Sequence, residues 1–536
     1  MGCILLAVFL RCSTYHDLLA DDGRLLFLDP DSYDHLRRIT LGLVSFPHIP
    51  VFDAYYGYPV GTGQVWSPFF DYLITAILFL ATAGHGGAVA AESFGFWLSP
   101  LLAVGNVLAI YYLATRLLDR TAGLAAALVI AILPAHLMYS FAGLLDHHAA
   151  EPLLCLFLLH SLLAANEVGP ATKSWHRGLA TGALLVCSLL IWRGSVIFWG
   201  MAMVILFIQA RCEVSAGNAL SPAGQYGLRA CLWAVLLLLP VCLFDFWGGA
   251  ATISFARISW FHVILLVACA AALGMASRLS RLRSLVLLAA VVAGLALIAS
   301  ATGLSQFVSQ FRAGLVVIFG NDPWLNTIDE LRSILFPDGQ FSLWYGAGFL
   351  SGLYYLCPFV LLSIVRDWLQ HGRRELSDVV LLVLVSAFFV LPLFRERYMH
   401  LGGVAVAVCT GYLVSRLRYR FTSHMRHRPG CWAAGLSLVV LFLPIVPFLS
   451  DPGREVRLSS EEKHDLREAL HWLKTRTPPT AGYLDPRQIP EYGVLADWSL
   501  GSLITYVAQR PAMATNFGWE THGLYESASF LALSNP

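Results

Sequence analysis

The chain has 536 residues, of which 57% are hydrophobic and only 13% are charged. In a soluble protein roughly a quarter of the residues are charged. The composition therefore excludes an ordinary soluble domain and indicates a protein that crosses the lipid bilayer several times. The formal net charge of +1 provides no overall field for attracting nucleic acid, and no nucleic-acid partner is expected.

The cysteines and the N-terminal segment exclude two further classes. The eleven cysteines are scattered, mostly within apolar runs, without a Cys-x-x-Cys pair. This pattern argues against a disulfide framework and against a cysteine-bound metal. The apolar run from Met1 to Leu10 has neither a basic leading segment nor a small-residue cleavage site, so it is predicted to be a short first membrane span and not a signal peptide.

Thirteen apolar segments are predicted to span the membrane, since a spanning helix needs about 20 apolar residues. They are 1–13, 92–116, 122–140, 149–166, 178–192, 194–210, 230–246, 258–276, 284–302, 343–365, 378–394, 398–415 and 433–449. The apolar stretch 68–84 is predicted instead to be a helix lying on the membrane surface within the first loop.

Basic residues predict the orientation, because Lys and Arg concentrate in cytoplasmic loops. They cluster at 116–120, 173–177, 211–229, 278–283, 366–374 and 416–428. With the N-terminus inside, thirteen spans make all these loops cytoplasmic. The segments 14–91, 141–148, 303–342 and 450–536 are then external. A further span at 68–84 would break this agreement after the first loop.

The chain is therefore predicted to have two parts. Residues 1–449 form a transmembrane catalytic domain, with external loops 14–91 and 303–342. Residues 450–536 differ in composition and predict a small external α/β unit, in which Ser459-Ser460-Glu461-Glu462 resembles a capping box that opens a helix.

Three acidic clusters fall in the predicted external loops: Asp29-Pro30-Asp31, Asp146-His147-His148 and Thr327-Ile328-Asp329-Glu330. Carboxylates at a membrane boundary are costly and are usually kept for a function. Divalent cations prefer carboxylate oxygens, and Mn²⁺ also accepts imidazole. A metal site is one interpretation. Turn chemistry beside Pro30, a helix cap by Asp146 and a helix first turn at 327–330 are the alternatives.

Arg395-Glu396-Arg397 interrupts an apolar segment near the predicted external face. Arginine binds phosphate through a planar fork of N–H donors, so the pair is a candidate phosphate contact. An internal ion pair with Glu396 and extension of the side chains toward the interface are the alternatives.

Taken together and in this order, the motifs resemble the catalytic subunit of oligosaccharyltransferase, the membrane enzyme of asparagine-linked glycosylation. The stretch 31–37 is similar to the family's first Asp motif, and Pro59-x-Gly61 with Trp66-x-Pro68 to the loop that follows. Asp146-His147-His148 resembles its second Asp motif in an Asp-x-His form. Residues 327–330 match its Thr-Ile-x-Glu motif, and Arg397 before Tyr398 resembles its diphosphate-contacting arginine.

The chain departs from the family in its C-terminal part. The family's Trp-Trp-Asp-x-Gly motif reads the hydroxyl residue of the Asn-x-Ser/Thr acceptor, and the corresponding residues here are 497–501. Asp497 stands for the first Trp and Ser499 for the Asp, whereas Trp498 and Gly501 are retained. A serine hydroxyl binds without charge assistance, which puts the usual acceptor preference in question. The chain also ends short of the family's larger soluble domain, and a divergent, short member is expected.

The resemblance implies a C-type glycosyltransferase architecture and a metal-dependent, inverting enzyme. It would move a glycan from a lipid-linked polyprenyl diphosphate donor to asparagine side chains of an acceptor protein or peptide, on the non-cytoplasmic face of a bacterial or archaeal plasma membrane. The implied roles are catalysis by Asp31, Asp146 and Glu330; Mn²⁺ or Mg²⁺ binding by Asp31, Asp146 and His148; donor diphosphate binding by Arg395 and Arg397; and acceptor binding by Glu330, Asp497, Trp498 and Ser499.

Two other functions remain open. A different polyprenyl-phosphate-dependent membrane glycosyltransferase, acting on a lipid or glycan, shares a first-loop Asp motif but is not expected to carry Thr-Ile-x-Glu or the Trp498 region. A transporter or lipid flippase predicts mid-span charges and helices broken in two symmetric halves. The acids here cluster toward one predicted face, and no two-fold pattern is visible.

Overall fold

A computed structural model describes residues 1–20, 23–63, 67–163, 171–215, 221–246, 252–277, 305–320, 328–371, 375–422, 429–516 and 523–533. Helices dominate these residues. The α-helices are Gly2–Cys12, Pro30–Ser45, Phe69–Ala81, Ala88–Leu117, Arg120–Ile132, Pro134–Leu137, Ala150–Leu163, Ala171–Ile191, Val196–Ser215, Pro222–Leu243, Trp260–Ala276, Ser305–Phe319, Leu343–Leu350, Cys357–His371, Leu376–Phe394, Met399–Thr422, Pro429–Leu441, Val446–Ser450, Arg454–Arg476, Gly501–Leu503 and Gly523–Leu533. Strands Phe52–Asp53 and Thr62–Gly63 pair antiparallel.

Seven described helical segments are long and apolar enough to cross a membrane: Ala88–Leu117, Arg193–Val214, Pro222–Leu243, Gly352–Gln370, Leu376–Phe394, Glu396–Arg420 and Trp432–Ser450. They confirm a helical protein with several membrane-capable helices. The predicted span 284–302 lies outside the described residues, and the total of thirteen stays a prediction. The stretch 68–84 is helical at Phe69–Ala81.

Helix boundaries differ from expectation at three places. The predicted span 122–140 divides at Leu133, because Pro134 has no N–H to continue the helical ladder. The predicted span 343–365 is interrupted at Ser351, whose φ of 66° is incompatible with a helix. The expected capping box at Ser459 does not open its helix, which begins at Arg454.

The first of two compact units comprises residues 1–7, 103–138 and 150–450. Its helices approach each other closely at small residues. Helices in a membrane pack in this way, because van der Waals contact and not the release of water holds them together. A Cβ atom added to Gly411 would lie 2.8 Å from the carbonyl oxygen of Ala122, and one added to Gly182 would lie 2.8 Å from that of Ala230. The helix Met399–Thr422 is buried along most of its length, so it forms the centre of this unit.

The second unit comprises residues 8–102, 139–149 and 451–536. Its centre is the helix Pro30–Ser45, which is buried from Ser32 to Leu43. Pro30 occupies the first helical position, and the Asp29 carboxylate accepts a hydrogen bond from the Ser32 N–H at 2.7 Å. Both features favour a helix start at this point. The described part of 451–536 contains helices and a single parallel bridge between Val494 and Ala512.

Candidate functional site

The central helix of the second unit buries three basic side chains, and each is paired with acids. Charges inside a protein are costly unless they are neutralised and hydrogen-bonded. Arg37 donates from Nε and Nη2 to the two carboxylate oxygens of Asp53, at 2.5 Å and 2.8 Å. Arg38 forms ion pairs with Asp34 and Asp71. His35 is the third basic side chain, and it lies between two carboxylates.

Arg37 is also enclosed by aromatic rings. Its guanidinium carbon lies 4.8 Å from the ring centre of Tyr55 and 5.0 Å from that of Tyr483, within the range of cation–π attraction. Burial opposes the positive charge, but the Asp53 carboxylate outweighs that effect and raises the pKa of Arg37 above its ordinary value. Arg37 is therefore a permanent cation that fastens the first loop to residue 483.

The start of this helix is tied to the segment that carries the second acidic motif. The Ser32 hydroxyl accepts a hydrogen bond from the Leu145 N–H at 2.9 Å and donates one to the Asp29 carboxylate. Burial, and then the negative charge of Asp146, raise the pKa of Asp29. Ser32 thus links Asp29 to the main chain next to Asp146, more than a hundred residues away in sequence.

Asp146 stands at the centre of a buried cluster of imidazoles. Its carboxylate oxygens lie 3.6 Å from Nε2 of His35, 2.6 Å from Nδ1 of His147 and 3.2 Å from Nε2 of His148. All four residues are buried. Burial opposes ionisation of Asp146, but the charges of His147 and His148 outweigh it and hold the pKa of Asp146 well below its usual range.

His35 completes this cluster from the helix side. Its Nδ1 lies 2.6 Å from Oδ1 of Asp71, whose side chain is fully buried. Burial lowers the pKa of His35, but Asp71 and then Asp146 outweigh that effect and raise it to about 10. The ligand atoms of His35, Asp146 and His147 all lie within 4.8 Å of one another. A mixture of carboxylate and imidazole donors suits Mn²⁺ and related first-row cations.

Asp31, the other predicted ligand, lies in the first turn of the central helix. Its Oδ1 accepts a hydrogen bond from Nδ2 of Asn516 at 2.8 Å. The structure therefore places Asp146 beside His148, adds His35 and His147 to the cluster, and gives Asp31 an amide partner. Sequence reasoning assigned no role to Asp71 or Asn516. A carboxylate within the apolar run 69–81 was the available signal for Asp71, since such a charge needs a reason.

The first unit holds a second charged cluster around Arg397. The Arg397 guanidinium lies 3.4 Å from the Glu330 carboxylate and 3.9 Å from that of Glu151. Its carbon atom is 5.6 Å from the ring centre of Trp192. Glu151 is fully buried and also lies 3.2 Å from Nε2 of His400. Glu330 and Arg397 were both predicted, whereas Glu151, His400 and Trp192 were not.

Arg395 has a different environment from Arg397. Its guanidinium donates to the main-chain carbonyls of Val317, Gly320 and Leu331, and the residue is 2% exposed. Its N–H donors therefore hold neighbouring backbone in place. Thr327 of the Thr-Ile-x-Glu motif lies outside the described residues.

Asp497 caps the short 3-10 turn that carries Trp498. Its Oδ1 accepts hydrogen bonds from the Ser499 N–H at 2.9 Å and from the Ser499 hydroxyl at 2.6 Å. Asp497 is exposed, while Trp498 and Ser499 are half-buried. The carboxylate missing at position 499 is thus present beside it, two residues upstream.

The helical architecture and the buried carboxylate–imidazole cluster define a multi-pass membrane protein with a centre suited to a divalent cation. Residues 4–284, more than half of the chain, match the family described as oligosaccharyl transferase STT3, N-terminal. The chain belongs to this family.

Archaeal proteins are similar over nearly the whole chain. A protein of Archaeoglobus fulgidus named dolichyl-phosphooligosaccharide-protein glycotransferase 1 is 24% identical over 96% of this chain and 81% of its own length. The archaeal oligosaccharyltransferase AglB from that organism, solved with an inhibitory peptide and a dolichol-phosphate, superposes with a TM-score of 0.78 at 18% identity, over 99% of this chain and 67% of the solved one.

A further solved structure shows the same fold with a metal. The Archaeoglobus fulgidus oligosaccharyltransferase in complex with Zn and sulfate has a TM-score of 0.66 at 18% identity and covers 96% of this chain. This chain spans 62% of that solved protein.

Replacing Arg37 by methionine is expected to destabilise the second unit. The buried Asp53 carboxylate would lose its partner, and breaking a buried ion pair costs about 3–5 kcal/mol. Thermal unfolding in detergent measures the loss, and the exposed Arg476→Met serves as the matched control. Equal melting temperatures for R37M and R476M would contradict the assignment.

Proposed function

We propose that this chain catalyses oligosaccharyl transfer. It moves a glycan from a lipid-linked polyprenyl diphosphate to the side-chain amide of asparagine in an acceptor protein or peptide, with inversion at the sugar and with Mn²⁺ or Mg²⁺ bound. The observation that carries the proposal is the buried Asp146 cluster, in a chain of the STT3 family whose Asp31 binds a side-chain amide.

The proposal includes a topology. Thirteen membrane helices in a C-type glycosyltransferase architecture make up residues 1–449, and the loops 14–91 and 303–342 face the non-cytoplasmic side of a bacterial or archaeal plasma membrane. Residues 450–536 form an external α/β segment that binds the acceptor. The clustering of Lys and Arg between alternate spans supports this arrangement.

Asp31, Asp146 and His148 would hold the metal ion. The 3.2 Å separation between the Asp146 carboxylate and Nε2 of His148 supports the Asp-x-His pair as ligands. When bound, the ion supplies positive charge that stabilises the departing diphosphate.

Asp31 and Glu330 would bind and help activate the acceptor amide. An amide nitrogen is a poor nucleophile because its lone pair is delocalised, so the enzyme must position the amide and accept hydrogen bonds from its N–H groups. Asn516 makes such a bond to Asp31, with its amide nitrogen donating at 2.8 Å.

Arg397 is the candidate contact for the donor diphosphate. Its guanidinium is oriented by Glu330, Glu151 and the face of Trp192. Arg395 would support diphosphate binding by holding the adjacent backbone, because its guanidinium N–H groups donate hydrogen bonds to main-chain carbonyls. Together the two arginines combine a charged contact with a rigid support.

Asp497, Trp498 and Ser499 would line the pocket for the acceptor's hydroxyl residue. The Asp497 carboxylate is hydrogen-bonded to the Ser499 hydroxyl at 2.6 Å, so the pocket retains a negative charge despite the exchange at position 499. This arrangement supports an acceptor with a serine or threonine hydroxyl.

Peptide transfer tests the proposal. Purified protein would receive lipid-linked oligosaccharide extract, Mn²⁺ and fluorescent peptides bearing Asn-x-Thr or Gln-x-Thr. We expect a mobility shift of the Asn peptide alone, and EDTA should abolish it. The rate of transfer should fall about 10²-fold or more in D146N, because a lost electrostatic contact at the reacting centre costs about 10²–10³ in rate. Failure of peptide transfer together with EDTA-sensitive transfer to a lipid or glycan would favour the other polyprenyl-phosphate-dependent glycosyltransferase instead.

Arg397→Lys is expected to raise the KM for the lipid donor and to lower kcat about tenfold or more, because a lysine retains charge but not the planar fork of donors. The exposed Arg366→Lys is the control. Steady-state kinetics with varied donor distinguish the two variants. An R397K enzyme with wild-type kinetics would remove Arg397 from the donor site.

Asn516→Leu is expected to lower the KM for the acceptor peptide about tenfold at unchanged kcat. The internal amide competes with the acceptor for Asp31, and a hydrogen bond to a charged group contributes about 1.5–3 kcal/mol. Kinetics with varied peptide measure the effect, with Asn516→Gln as the amide-retaining control. A higher KM in N516L would show that Asn516 builds the acceptor site.

A further inference from the structure

His35 occupies a position that the roles assigned so far do not use. Its Nδ1 is 2.6 Å from Oδ1 of Asp71, and its Nε2 is 3.6 Å from Oδ1 of Asp146. The side chains of His35 and Asp71 are 7% and 0% exposed. The His35 ring thus lies between Asp71, which is fully buried, and Asp146, a proposed metal ligand. Its two nitrogen atoms have different neighbours, and this difference indicates the role of each.

The orientation of this ring is determined by its neighbours. Asp71 uses Oδ1 for His35, and its Oδ2 lies 3.3 Å from Nε of Arg38. Arg38 is in turn paired with Asp34, one helical turn away. Phe70 packs against the imidazole, with ring centres 5.3 Å apart. Because the Nδ1 edge is held by Asp71, the Nε2 edge must face Asp146.

The two contacts of the ring differ in kind. The separation of 2.6 Å between Nδ1 and Asp71 is that of a strong hydrogen bond, so Nδ1 carries a proton. The separation of 3.6 Å between Nε2 and Asp146 is too long for a hydrogen bond. Two atoms that bind one cation, each about 2.1 Å from it, are about 3.0–3.6 Å apart at ordinary bond angles. The second distance therefore suits a shared cation, whose binding would release the proton from Nε2, since metal ligands must be deprotonated.

We propose that Nε2 of His35 is a further ligand of the divalent cation held by Asp146, and that Asp71 is the carboxylate that orients this ligand. The inference rests on the metal site of the proposed function and extends it. Metal-binding histidines generally donate their other N–H to a carboxylate or carbonyl, which determines the tautomer and the ring direction. Asp71 occupies that place in the chain.

The assignment has a consequence for the identity of the metal. His35 places an imidazole nitrogen beside the Asp146 carboxylate. Mg²⁺ prefers oxygen ligands, whereas Mn²⁺ and later first-row cations accept imidazole. The site would therefore select Mn²⁺ over Mg²⁺. His147 has a different task, since its Nδ1 lies within hydrogen-bond distance of Asp146 at 2.6 Å and orients that carboxylate.

Binding of Mn²⁺ to the detergent-purified full chain tests the inference without an activity assay. Electron paramagnetic resonance would measure Mn²⁺ affinity, and pulsed measurements of nitrogen coupling would count the bound imidazoles. In His35→Gln we expect the Kd for Mn²⁺ to rise about 10–100-fold and one imidazole coupling to disappear. The Kd for Mg²⁺ should change less. His262→Gln, which alters a buried histidine of a helix cap, should leave all three values unchanged.

Asp71→Asn provides a second variant that retains the imidazole. Loss of its orienting carboxylate should also raise the Kd for Mn²⁺ about tenfold or more, so the inference can be decided even if H35Q does not fold. Unchanged Mn²⁺ affinity and nitrogen coupling in H35Q, or in D71N when H35Q is unfolded, would overturn the inference and leave the proposed function intact. Equal Mn²⁺ binding by the wild type and D146N would instead refute the metal site itself.

Discussion

Pairing of buried charge is the constraint on which the second unit depends. The helix Pro30–Ser45 lies at its centre and carries His35, Arg37 and Arg38 on buried positions. Each cation is neutralised by a carboxylate, and Asp53 and Asp71 come from beyond the helix. Leaving any of these charges unpaired in a low-dielectric interior would cost several kcal/mol. The first loop therefore folds around the helix in an arrangement that satisfies all three cations.

The same constraint positions the candidate catalytic groups. Asp71 neutralises Arg38 and orients His35, and His35 faces Asp146. Ser32 holds the Leu145 N–H and thereby places the Asp146 segment at the helix start. Structural and functional charges thus form one connected network. A reaction that moves charge benefits from groups that are already held in place, because they need not reorganise.

The first unit uses its arginines in two ways. Arg395 uses its guanidinium on three carbonyl oxygens, and Arg397 lies among two carboxylates and an indole ring. The residues are two positions apart and share a side-chain type, so their sequence context does not distinguish them. Their backbones differ, because Arg395 is the extended residue before the 3-10 turn Glu396–Tyr398 and Arg397 lies within that turn.

The sequence by itself determined the membrane class, the family resemblance, the positions of the acidic motifs and the apolar helices, because these depend on composition and local spacing. Pro134 breaks one predicted span for a reason that the sequence itself contains, since proline has no N–H. The positive φ of Ser351, which breaks another, has no signal in the apolar run. Only the tertiary structure decided that Asp71 reaches His35 and that Asn516 reaches Asp31. The two contacts span 36 and 485 positions of the sequence, respectively. Such partners are selected by the need to pair buried polar groups, and that need arises only when the chain folds.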